Sequence, residues 1–142
     1  MKTFERSLTV VGALLFLVDG SAQAQAQARL TIVNQSYREL TIKVMRAGDF
    51  EDTLHGTMTI LPMSSRTMSF SETGVYFMKT MASLPGRDPI YQKGQPFRVF
   101  VGSGGYSVLT VTFTIVESAA PQLTDGRSIS RDEFDRDSAP HR

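Results

Sequence analysis

The chain reads as an all-β protein: a single antiparallel β-sandwich of about eight short strands, with a small β-barrel as the alternative. Three observations lead there. In "YSVLTVTFTIV", Leu109, Val111, Phe113 and Ile115 alternate with Thr110, Thr112 and Thr114. Strict alternation of β-branched and aromatic residues marks a strand with one buried face. Turn-forming clusters recur about every 8–12 residues, the spacing of short strands packed into two layers. Between residues 29 and 117 no segment shows a helical period. The sandwich is immunoglobulin-like in general shape only, because the chain has neither cysteine nor tryptophan for a Cys–Trp–Cys core.

Taken in order, the elements begin with a leader. "MKTFERS" carries Lys2 and Arg6, the apolar run "LTVVGALLFLV" covers Leu8 to Val18, and "DGSAQAQAQA" supplies small residues for cleavage. This is the order of a secretory signal peptide, predicted over residues 1–24 with cleavage after Ala24 and Ala22, Ala26 and Ala28 as competing sites. The apolar run is too short to span a bilayer, which takes roughly 20 residues. Cleavage removes two charges of each sign, so the net charge of +1 persists. That balance gives no strong pull toward nucleic acid or an anionic membrane. The mature protein is expected in the periplasm or outside the cell, without stable membrane insertion. Its lack of cysteine suits a bacterial periplasmic domain better than a disulfide-stapled mini-protein.

Residues 25–117 then make one domain. "LTIVN" and "ELTIKVM" alternate, placing Leu30 with Ile32 and Leu40 with Ile42 and Val44. Weaker strands follow in "GTMTIL", "RTMSF", "VYFMKTM", "PIYQ" and "FRVFV", separated by "RAGDFED", "LPMSS", "SETG", "LPGRDP" and "QKGQP". "GSGG" predicts a hairpin between Phe97–Val101 and Tyr106–Val116, since glycines accept the left-handed turn positions. After Glu117 the composition turns polar, and residues 118–142 read as a flexible tail. Within it "SRDE" fits a capping box, Ser130 as N-cap and Glu133 at the third helical position, for a short helical turn over 131–135.

Function is less marked. "LTDGRSISRDEF" has the Asp-Gly and acidic ending of a calcium loop, but placing Gly126 at the sixth position puts Pro121 first and Leu123 third, so no oxygen cage forms. No serine lies in a G-x-S-x-G elbow, and the acids of "GDFED" sit in a solvated loop, so the protein is not expected to be an enzyme. No cofactor is implied. Six methionines, Met45, Met58, Met63, Met68, Met78 and Met81, lie near His55, and soft thioethers select Cu(I). Met58 alternates with Ile60 and Met68 with Phe70, so packing in an irregular core is the better reading. The expectation is an exported non-catalytic module, an envelope accessory or protein-interaction domain. It would meet another envelope or secreted protein through a sheet edge or a loop end. Tyr91, Lys93, Arg98 and Tyr106 are the candidate surface residues. A periplasmic Cu(I)-binding domain using His55 and methionines is the alternative.

Overall fold

The computed structural model describes residues 10–15, 27–115, 117, 118, 120, 121, 123 and 126–140, with Val10–Leu15, Ala139 and Pro140 described through their backbone. The strands are β1 Val10–Leu15, β2 Ala28–Asn34, β3 Glu39–Ala47, β4 Glu51–Ile60, β5 Ser64–Phe70 and β6 Gly74–Ser83. They continue with β7 Ile90–Lys93, β8 Phe97–Val99, β9 Val101–Gly102, β10 Gly105–Phe113, β11 Arg127–Ser128 and, after the short helix α1 Arg131–Asp135, β12 Ser138–Pro140. Among the described residues they form two open sheets. The first runs β1-β10-β2-β5 with β9 also on β10, and the second runs β11-β7-β6-β3-β4-β12 with β8 also on β6. The all-β sandwich is thus the architecture, and the sheets do not close into a barrel.

Alternation decides what goes inside. Leu30 and Ile32 of β2, and Leu109, Val111 and Phe113 of β10, face Leu40, Ile42 and Val44 of β3 and Met78 of β6 across one core. The central strand β6 is buried on both sides: Tyr76 and Met78 join the core, while Phe77 and Lys79 are covered on the other face. The loop "NQSYR" is closed by Asn34, which is fully buried. Its side-chain amide donates to the carbonyls of Arg38 and Ile60 at 2.7 and 3.2 Å, and its Oδ1 accepts from the Ser36 amide and hydroxyl. An asparagine that bonds the backbone two residues on is a turn device, here also tying β2 to the end of β4.

Three details differ from the sequence expectation. Sheet pairing is not wholly antiparallel, because β10 lies parallel to β2 with Leu109 beside Leu30 and Val111 beside Ile32. Alternation fixes which face a strand buries and is silent on the direction of its neighbour. The stretch Phe97–Val101 is not one strand of a hairpin. Its first part, β8, pairs with β6 in one sheet, and the chain changes sheets at Phe100 so that only β9 pairs with β10 around the glycine turn. The segment after Glu117 does not stand off as a loose tail where it is described. β11 adds to β7, β12 adds to β4, and α1 packs on the outer face of β6 and β7. The reason is that Phe134 and Leu123 are large enough to dock, with 4% and 2% of their surface exposed. Most of the expected signal peptide and the cleavage sites at Ala22, Ala24 and Ala26 lie outside the described residues. Ala28 opens β2 and is buried, so cleavage there would take a residue out of the sheet.

Candidate functional site

The site emerges from the edge strand of the first sheet. On one side β10 is complete: β9 pairs with Gly105 and Tyr106, and β2 continues from Val108 to Phe113. On its other side β10 pairs antiparallel with β1, from Tyr106 opposite Leu15 to Val111 opposite Val10. That second neighbour comes from the apolar run of the predicted signal peptide. Without it, the backbone of residues 106–111 would have one unpaired edge. Edge strands are ordinarily blunted by charge or proline, yet "YSVLTVTF", Tyr106 to Phe113, contains neither. At the other edge of this sheet, β5 carries Arg66, and the preceding strand β4, which belongs to the second sheet, lies near it.

Behind the edge the two sheets do not meet fully. A cavity of about 120 Å³ lies between Leu109, Val111 and Phe113 of β10, Met78 of β6, and the loop residues Gln95 and Pro96. Its walls are mainly apolar, and Gln95 and Pro96 are exposed. Part of its wall belongs to the strand whose edge depends on β1, with Leu30 of β2 beside it. What this arrangement can do chemically is hydrogen-bond an extended backbone and receive an apolar side chain.

The sequence-predicted surface residues are not gathered in one place. Tyr91 and Lys93 sit on β7, where Tyr91 meets the Phe134 ring at 5.5 Å and Lys93 lies over Phe77 at 4.5 Å. Both therefore help to seat α1 and cover the outer face of the second sheet. Arg98 is exposed on β8. Tyr106 is buried rather than a surface residue, with Arg29 over its ring at 5.9 Å. It does, however, belong to the candidate edge, opposite Leu15. What sequence reading left open is which strand forms the edge; the absence of charge from Tyr106 to Phe113 was the available signal.

His55 occupies a local irregularity. Val44 pairs with Gly56 and Met45 with Leu54, so His55 is the extra residue of a β-bulge. Bulges re-aim side chains, and here the imidazole stacks on Phe70 at 4.5 Å and meets Tyr76 edge-on. Its Nε2 lies 3.1 Å from the Ser69 carbonyl oxygen, so the ring donates there. Met58 and Met78 are buried in the core, and Met68 packs against it. These contacts make packing groups of His55, Met58, Met68 and Met78, while Met63 is exposed.

The perturbed titratable groups are held in structural pairs. Glu117 is lowered from the usual carboxylate range by the hydrogen bonds from Arg38, against the opposing effect of burial. Burial, with Lys43 nearby, lowers Lys79, whose ammonium donates to the carbonyls of Glu133 and Arg136 at the end of α1. Burial raises Tyr76, whose hydroxyl donates to the Glu72 carbonyl at 3.1 Å. Among protein-family models, curated proteins and solved structures, none matches this chain.

Proposed function

We propose that the processed chain is an exported, non-catalytic protein-interaction module that takes an extended segment of an envelope or secreted partner along the free side of β10. The observation that carries this reading is the six-residue pairing of β10 with β1. It supports an edge able to accept an apolar strand, and export through the predicted signal peptide would remove the strand now on it. Strand addition uses backbone hydrogen bonds for affinity and alternate side chains for selectivity. An uncharged edge beside an apolar cavity offers both.

The test uses the mature chain, residues 25–142, and a peptide spanning residues 8–18 with flanking lysines for solubility. Amide exchange followed by NMR should show saturable 1:1 binding, with protection gained between Tyr106 and Val111. Absence of binding, or protection confined to β4 and β12, would defeat the proposal.

A further inference from the structure

We infer that the strand taken up by β10 carries a large apolar side chain, leucine, methionine or phenylalanine, opposite Leu109, and that the cavity behind the edge is its pocket. This rests on the strand-accepting reading and specifies the ligand. In an antiparallel pair, residues directly opposite share a face of the sheet. Leu109 faces the core and is 8% exposed, so the residue opposite it is directed between the sheets. In the present pairing that residue is Gly12. Glycine brings no side chain, and the space lined by Leu109, Val111, Phe113 and Met78 stays open at about 120 Å³. An apolar cavity of this order takes a group of roughly benzene size. The chain's own N-terminal strand is therefore an incomplete occupant, matched in backbone and short by one side chain.

The same geometry favours an extended segment over a second copy of this chain. A second copy joined edge to edge would keep Leu109, Val111 and Phe113 of its own β10 inside its own core. Those side chains could not also enter this cavity. A strand that brings no sandwich of its own has its alternate side chains free to do so.

Three lysine-flanked peptides decide the matter, measured by fluorescence anisotropy against the mature chain: the 8–18 segment, its Gly12→Leu variant and its Gly12→Asp variant. The leucine peptide should bind at least about tenfold more tightly than the parent, because several methylenes leave water. The aspartate peptide should bind more weakly than the parent, since an unpaired carboxylate is disfavoured between apolar sheets. The Met78 methyl resonance should shift with the leucine peptide and much less with the parent. Equal affinity of the parent and leucine peptides overturns the pocket while leaving the strand-accepting edge intact. No binding by any of the three removes the edge reading as well. Concentration-dependent dimers of the mature chain with β10 protected would make a second copy the occupant and overturn both.

Discussion

Arg38 has no solvent-exposed surface, and a guanidinium in that position must have its donors answered. Nε and one terminal nitrogen donate to the two carboxylate oxygens of Glu117 at 2.8 and 3.0 Å, and the other nitrogen donates to the carbonyls of Ala82 and Asp88. The fork geometry is one that lysine could not reproduce. The residue thereby ties the start of β3 to the end of β6, the loop before β7 and the segment that follows β10. Because these bonds hold Glu117 below its usual value of 4.5, the carboxylate contributes stability at pH above that value, and the contribution is lost as pH falls through the lower folded value. Glu117→Gln should therefore lower stability at pH 7, by an amount toward the lower end of roughly 3–5 kcal/mol given the partial exposure of Glu117. It should also flatten the decline in stability below about pH 4.5. Urea melts of both proteins from pH 7 to pH 2.5 check this, and parallel curves with equal midpoints at pH 7 would show the pair to be energetically idle.

At the scale of elements, the least obvious piece is α1, five residues long and unable to persist alone. It is held by its cap, the Ser130 hydroxyl accepting from the Glu133 amide at 3.1 Å, and by what lies beneath it. Phe134 is seated against Tyr91 with Lys43 over its ring, and Lys79 answers the carbonyls at the helix end. Phe134→Ala should destabilise the domain by an amount near the lower end of about 3–5 kcal/mol, and Ser130→Ala by about 1 kcal/mol. Removing residues 126–142 should lower the melting temperature, because Tyr91 loses the Phe134 ring and Lys79 loses the carbonyls that answer its ammonium. If the truncated chain melts like the full one, the helix is an ornament. The helix itself was readable in "SRDE", and the strands were readable in their alternation, from Leu40–Val44 to Leu109–Phe113. The docking was not, since one phenylalanine and the stems of two lysines carry it and no periodicity announces them. Arg38 and Glu117 are 79 residues apart, so only the fold brings them together. The bulge at His55 and the sheet change at Phe100 are likewise properties of pairing, invisible while each strand is read alone.

On the scale of the whole molecule, the sandwich is shut on one side and dependent on β1 on the other. Where β4 passes to β5 the chain crosses from the second sheet to the first, while β10 and the loop residues Gln95 and Pro96 contribute walls of the cavity. The sequence pointed to a sheet edge or a loop end as the place of contact and to Tyr91, Lys93, Arg98 and Tyr106 as its residues, because exposed aromatic and basic residues are the visible marks of interfaces. A strand edge is made of backbone and has no such mark. On the proposed reading, in which the leader is removed, the chain before and after processing would differ at a defined place. Exported material should begin between Gln23 and Arg29, as N-terminal sequencing reads directly. In the unprocessed chain both edges of β10 are hydrogen-bonded from Tyr106 to Val111. In a chain lacking β1 the amides directed toward β2 and β9 would keep their partners, and the alternate ones, directed toward the departed strand, would lose theirs. Hydrogen exchange of the mature chain should thus show every second amide between Tyr106 and Val111 exchanging at least about tenfold faster than in the unprocessed chain, with the intervening amides and the Leu40–Val44 stretch unchanged. Uniform acceleration across β10 would mean that β1 supports the whole strand instead of covering one edge, and identical exchange in the two forms would remove the ground for a strand-accepting site.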